Sequence, residues 1–461
     1  MPISKNPNLI VNKIDNDFYF VVNPFVSNGL QIINVNQFVV LDSIDGETDI
    51  TQLSAKTEFL QEDIITTCKI LEKKNIVSFT NVFSKPLWNY NVNSIGLWVH
   101  TTNDCCLRCS YCYIHTLGLK DFIPSENIER LCEKLKQTVQ QKQLQKVSLR
   151  LAGGEPLMKF NLWKPYLLEL KETLKTLHCQ LNITFLTNLV LLNDEMIHFV
   201  KENNFGIAVS LDGLKEYQNN TRYFENGKGS FDIVEKNIHK LLDNDIPFGI
   251  MTVVSNENLD GLEQLTKFIT ERNLKFRFSF VQGENLDIPK LISVLHNCYE
   301  ILSEAIEKGY QFSKNHSLCD LKFLEPFFQT CGNGFNSGAL YTDGNIYFCQ
   351  KGFGTDTPNG SIFEEDDLLS IVQRKTHYNT VNSDCQQCNL QYICTSGCPL
   401  ERENEKDPHC EVYKEIIPLI FKLIAKERLF KIKLNNADKK TTDNVSAYCR
   451  SCCIPTLYQR E

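Results

Sequence analysis

Between residues 94 and 310 six strand-like runs, SIGLWVHT, KVSLRLAG, LNITFLT, FGIAVSLDG, FGIMTVV and FRFSFV, alternate with segments of helical periodicity. Such alternation restricts a chain to parallel pairing, because parallel neighbours need a long crossover and a helix supplies it. Six units predict an α/β fold built as a partial (β/α)6 barrel. In barrels of this kind chemistry gathers on the loops after the C-terminal strand ends, where ligands do not disturb the packed interior. SENIERLCEKLKQTV reads as one crossover helix with Ser125 as its N-cap.

The barrel accounts for less than half of the 461 residues, so further domains are expected on either side. Residues 1–88 contain two strand-like runs, DFYFVVNPF and GLQIINVNQFVVLDSI, then two helical patterns, DITQLSAKTEF and QEDIITTCKILEKKNIVSF. Asp49 is placed to cap the first helix, and Ile64, Cys68 and Leu71 recur at the spacing of one buried helix face. Residues 89–310 hold the barrel. Residues 311–430 are rich in Gly turns and grouped cysteines, and 431–461 form a polar tail expected to be mobile, with Cys449, Cys452 and Cys453 near its end.

Charge and hydropathy exclude some classes of partner. With 48 basic and 56 acidic residues the net charge is −8, against the clustered Lys and Arg that nucleic-acid binding requires. Residues 1–85 carry seven Lys and ten Asp or Glu, which argues against a DNA-binding reading of the first domain. The most apolar stretch, IIPLIFKLIA, is short and broken by Pro and Lys, so no membrane span is expected. The N-terminus lacks the pattern of a secretory signal, which implies a cytoplasmic protein. In that reducing compartment 19 cysteines, an odd number, do not read as a disulfide framework, and metal ligation remains.

Two thiol constellations stand out. Cys105, Cys109 and Cys112, spaced C-x3-C-x2-C, follow the first barrel strand. Three thiolates from one loop can hold three irons of a 4Fe-4S cube and leave the fourth open; the alternative is a zinc site completed from elsewhere. Cys106 falls outside the spacing and is a spare thiol. Downstream come Cys331 and Cys349, then Cys385, Cys388, Cys394 and Cys398, then Cys410, a set that by itself suits either zinc or iron-sulfur clusters. Cys68, Cys132, Cys179 and Cys298 fall in helical or strand patterns and read as core.

The loop CCLRCSYCY, with Tyr111 just before Cys112, resembles the signature of the radical S-adenosylmethionine (radical SAM) family. LAGGEP (Gly153, Gly154, Glu155) and SLDGLKEYQNNTR, each at a strand end, extend the resemblance, and the downstream cysteines resemble a SPASM domain. The resemblance implies that the open iron binds S-adenosylmethionine and splits it to a 5′-deoxyadenosyl radical. It implies that the glycines and Glu155 meet the cofactor's ammonium, Ser210 its ribose and Arg222 its carboxylate, with Asn188 a further contact. It also implies two auxiliary 4Fe-4S clusters, on Cys331, Cys349 and Cys398 and on Cys385, Cys388, Cys394 and Cys410. The first has three ligands, and Cys319 or a tail thiol is a candidate fourth. Gln218 and Asn219 stand where many relatives have His-Asp, TNL stands for the frequent TNG, and Asp212 reads as a turn residue before Gly213.

The first domain resembles the winged-helix-like leader-recognition domain (RRE) of peptide-modifying systems, related to the peptide chaperone of pyrroloquinoline quinone biosynthesis. The implied activity is oxidative modification of a ribosomally synthesised precursor peptide, forming an intrapeptide C–C or thioether crosslink. The implied partners are the precursor, bound through its leader, and an electron donor such as flavodoxin or ferredoxin. Two alternatives stand beside it. One is formylglycine formation of the sulfatase-maturase type, against which Gln350 follows Cys349 where that family places an Asp base. The other is a zinc-stabilised peptide-binding scaffold without catalysis.

Overall fold

The computed structural model describes residues 2–83, 92–116, 121–312, 317–321, 323–376 and 382–442. The six expected strands are all present: β1 (Ser94–His100), β2 (Lys146–Ala152), β3 (Gln180–Thr187), β4 (Gly206–Ser210), β5 (Phe248–Val254) and β6 (Lys275–Phe280). They lie side by side in chain order, every neighbouring pair parallel. Alternation decides their faces. In β2, Val147, Leu149 and Leu151 are buried against helix residues such as Leu131, Leu135 and Trp163, while Ser148 and Arg150 face the helix-free, concave side.

The C-terminal part extends this sheet. Ser337–Leu340 pairs in parallel with β1, and Asn345–Tyr347 and Gly360–Ser361 add two antiparallel strands, giving nine in all. The cysteine-rich region is therefore locked to the barrel through main-chain hydrogen bonds. The helix Cys410–Thr442 packs its apolar face, including Ile416, Ile417, Ile420 and Phe421, into the same core. It runs well into the stretch expected as a mobile tail from residue 431. Cys449, Cys452 and Cys453 lie outside the described residues.

The main sheet of the N-terminal domain is three-stranded, not two, and Ser4–Lys5 pairs separately with Val77–Ser78. Ile10–Lys13, Phe18–Val22 and Leu30–Asn34 form an antiparallel sheet in that order. The run GLQIINVNQFVVLDSI splits because Asn34 is an N-cap: its side chain accepts from Gln37 N at 2.9 Å and its own N–H donates to Gln37 Oε1 at 3.1 Å, starting the helix Val35–Ser43. Asp49 caps Ile50–Thr57 in the same way, as expected. Ser125 does not cap its helix; it is the first helical residue, and Pro124 precedes it without a side-chain bond. One face of the small sheet (Val21, Ile33) covers the domain's own helices around Leu53, Ile64 and Leu71. The other (Phe20, Val22, Leu30, Ile32) joins the barrel core, and Arg428 of the C-terminal helix donates to Leu30 O at 3.3 Å. No described helix is long and apolar enough to cross a membrane.

Candidate active site

All the barrel residues singled out in the sequence fall at C-terminal strand ends: the thiol loop after His100, the glycines after Ala152, Asn188 after Thr187, Ser210 at the last residue of β4. The thiol loop is not free-standing. Leu107–Cys109 pairs with Arg222–Phe224 in a short antiparallel ladder that sets Arg222 opposite Cys109. Arg222 Nη1 lies 3.8 Å from Cys109 Sγ, and its guanidinium stacks over the Tyr111 ring at 5.4 Å.

Asp212, read from sequence as a turn residue, is the hub of this arrangement. Its side chain is fully buried and accepts from Tyr111 Oη at 2.5 Å, Thr221 Oγ1 at 3.0 Å, Arg222 Nε at 2.8 Å and Val253 N at 3.0 Å. Four donors satisfy a carboxylate that would otherwise carry a large burial cost. Gln218 holds the Asp212 backbone, accepting its N–H at 2.8 Å and donating to Ser230 Oγ at 3.3 Å. Asn219 accepts from Phe231 N at 2.9 Å. The Gln-Asn pair therefore braces the loop. The Ser210 hydroxyl makes no hydrogen bond among the described residues and stands half-buried at the strand end, free for a ligand hydroxyl.

Glu155 is spent within the protein. It accepts from Thr187 Oγ1 at 2.7 Å, Asn188 N at 2.8 Å and Leu157 N at 3.0 Å, tying the end of β2 to the end of β3. Burial pushes its carboxyl up to about 7, with those donors pulling the other way. The glycines before it answer to the thiol loop. A Cβ on Gly153, whose φ is +140°, would lie 2.5 Å from Thr102 O, and one on Gly154 would lie 2.1 Å from Asp104 O. Gly154 N donates to Thr102 O and Glu155 N to Asp104 O. A Gly154→Ala change is expected to displace the thiol loop at a cost of about 1–3 kcal/mol, read as lower iron retention after reconstitution than in the wild type.

Asn188 reaches the same loop, its Nδ2 lying 3.6 Å from Cys105 Sγ and 3.4 Å from Cys106 Sγ. Leu189, in the place of the frequent Gly, takes a left-handed backbone at φ 66° while fully buried. The strain of about 1–2 kcal/mol is offset by about 1.5–3 kcal/mol from burying the side chain.

The thiols fall into three groups. Burial pushes Cys109 up to about 12, and the nearby thiols of Cys112 and Cys105 add to it. Burial likewise raises Cys349 and Cys398, the latter to about 11; Cys331 raises both, and Cys349 adds to the rise of Cys398. Burial holds Cys394 well above its ordinary value, with Asp407, Cys410, Cys385 and Cys388 contributing. Cys319 is buried instead among Ser317, Asp320 and Asp407. Cys68, Cys179 and Cys298 are buried as expected, Cys132 half-buried.

Every donor in these groups is a thiol, the set that suits iron-sulfur clusters or zinc. Among the described residues no three Cys, His, Asp or Glu converge to hold a single metal ion. Raised thiols release protons when they ligate metal.

Residues 99–269 match the family model described as the Radical SAM superfamily. A cysteine-type anaerobic sulfatase-maturating enzyme of Clostridium novyi is 24% identical over 328 residues, covering 66% of this chain and 87% of that one. An uncharacterized protein of Methanocaldococcus jannaschii is 32% identical over 182 residues, 39% of this chain and 59% of its own length. Among solved structures, anSMEcpe with bound AdoMet superposes with a TM-score of 0.61 at 20% identity, over 72% of this chain and 98% of that one. Streptococcus suis SuiB bound to precursor peptide SuiA gives 0.51 at 17% identity, over 89% of this chain and 100% of its own. Signature and fold agree: residues 99–269 belong to the Radical SAM superfamily, which makes the chain an enzyme of S-adenosylmethionine and a 4Fe-4S cluster, similar in sequence to the sulfatase-maturating enzymes.

Proposed function

We propose that this enzyme oxidatively crosslinks a ribosomally made precursor peptide, bound through its leader by the N-terminal domain. The carrying observation is the extent of the fold similarity. Residues 92–461 make up about four-fifths of the chain, so the 89% shared with the peptide-bound SuiB fold must reach into the N-terminal domain. That domain holds a three-stranded sheet whose outer strands, Ile10–Lys13 and Leu30–Asn34, each have one side not paired to another strand among the described residues. Such an edge accepts an extended peptide as an added strand.

Cys105, Cys109 and Cys112 would hold the cluster to which the cofactor binds. When bound, the two together supply a 5′-deoxyadenosyl radical that removes a substrate hydrogen atom. The protein's residues do the placing. Asp212 fixes Tyr111 and Arg222 against the thiol loop; Arg222 offers a cationic fork to the cofactor carboxylate, and Ser210 offers a hydroxyl to the ribose. Glu155 and the glycines set the loop at its height. Cys331, Cys349 and Cys398, with Cys385, Cys388, Cys394 and Cys410, would hold two auxiliary clusters able to serve as electron acceptors, and a flavodoxin or ferredoxin would be the reductant.

Formylglycine formation is the second reading, favoured by the sulfatase-maturating relative. Gln350 speaks against it: its Oε1 accepts from Cys349 Sγ at 3.2 Å, and an amide cannot serve as a base. Co-expression with small peptides encoded beside this gene, followed by mass spectrometry, tests the proposal. A loss of two hydrogens located to a crosslink is expected. Conversion of Cys or Ser to an aldehyde would replace this reading with the second, and unchanged mass in every peptide would count against both.

A further inference from the structure

The concave face of the sheet carries two donors that have no acceptor. Arg150 lies at mid-strand in β2, on the face opposite the buried Leu149 and Leu151, and is open to solvent. Its guanidinium makes neither an ion pair nor a hydrogen bond among the described residues. Protein atoms nonetheless crowd it: desolvation first, then the like charge of Arg277, holds it below the usual arginine range, while Asp320 and Cys331 act in the opposite sense. Directly across the ladder, register pairs Arg150 with Trp98 of β1. The Trp98 indole N–H is buried and unpartnered, its ring packed on the aromatic cluster of Tyr341, Tyr347 and Phe353. A buried donor such as the Trp98 N–H carries a cost unless something fills it.

Charge on this wall is unbalanced. Arg277 of β6 pairs with Asp320 at 3.1 Å, with 42% and 56% of the two side chains exposed, so that carboxylate is committed. Asp320 is thus taken by Arg277, and Arg150 has no carboxylate paired to it among the described residues.

We propose that Arg150, with the Trp98 N–H beside it, is the recognition site for a carboxylate of the substrate, seated in the barrel between the thiol loop and the Cys331 group. This rests on the reading that the substrate is a peptide and adds a requirement to it: the modified segment carries an acidic side chain or ends in a free carboxylate near the reacting residue. A guanidinium fork matches a carboxylate with two parallel hydrogen bonds, whereas a neutral amide takes only part of the fork and leaves the charge unanswered.

Phenylglyoxal labelling of the reconstituted, full-length enzyme under anaerobic conditions tests this without any variant and without turnover. Arginine adducts are located by peptide mapping in the presence of three probes: acetyl-Gly-Asp-Gly-amide, acetyl-Gly-Asn-Gly with a free C-terminus, and acetyl-Gly-Asn-Gly-amide. Arg150 is expected to label faster than the paired Arg277. One of the two carboxylate probes should slow its labelling several-fold relative to the amide probe, while Arg272 on an outer helix is unaffected. Protection by the Asp probe assigns a side-chain carboxylate, and protection by the free-acid probe assigns a C-terminus. Equal Arg150 labelling with all three overturns the proposal. Because the readout is arginine protection, it separates failure of this site from failure of the crosslinking reading, which mass spectrometry of co-expressed peptides decides.

Discussion

Cys109→Ala is expected to abolish 5′-deoxyadenosine formation from S-adenosylmethionine in dithionite-reduced, reconstituted enzyme, and to lower the iron content from roughly twelve to roughly eight atoms per chain. The reason lies in ligand number. The thiol loop supplies only Cys105, Cys109 and Cys112, one iron being reserved for the cofactor, so removing one thiolate leaves two protein bonds to hold the cube. On the proposed assignment the two downstream groups are separate and should keep their iron. Cys106 supplies the control. It shares Asn188 with Cys105, lying 3.4 Å from Asn188 Nδ2, but falls outside the ligand spacing, and Cys106→Ala should retain both product and iron. Product from the Cys109 variant, or its loss from the Cys106 variant, would show that the ligands have been misassigned. Zinc in place of iron in anaerobically purified protein would remove the radical chemistry altogether.

The barrel was legible because its signal is redundant: each strand has its own apolar alternation, and each crossover its own helical period. The C-terminal strands were not, since both are short and gain their stability from pairing, Ser337–Leu340 with the edge of β1 and Asn345–Tyr347 with Ser337–Leu340. The split at Asn34 was readable in principle, as Asn-x-x-Gln is a capping signature, but the apolar residues on both sides ran together as one strand. Ser125 misled in the opposite way: the correct residue type stood one position inside the helix.

Local and distant information divide the site in the same manner. The three cysteines announce themselves by spacing, the glycines and Arg222 by the family resemblance. What those residues do depends on partners far away in sequence. Gly154 is required by Asp104, fifty residues earlier, and Glu155 spends its oxygens on Thr187 and Asn188. No pattern within residues 210–213 distinguishes a hub from a turn. Only the fold reveals that Tyr111, 101 residues away, ends on Asp212.

That hub gives the largest expected change in stability. Asp212→Ala should destabilise the barrel by about 3–5 kcal/mol, because it leaves the Arg222 guanidinium, whose side chain is only 10% exposed, as an uncompensated buried charge. Adding Arg222→Met should recover much of that loss, since an apolar side chain of similar length does not need the carboxylate. Denaturant unfolding of the two single variants and the double variant forms a thermodynamic cycle whose coupling measures the pair. Activity should behave differently. The double variant regains stability but lacks the fork beside Cys109 and the acceptor that holds the Tyr111 hydroxyl, so 5′-deoxyadenosine formation should stay at background. If activity returned together with stability, the buried pair would be scaffolding alone, and cofactor binding at Arg222 would have to be given up.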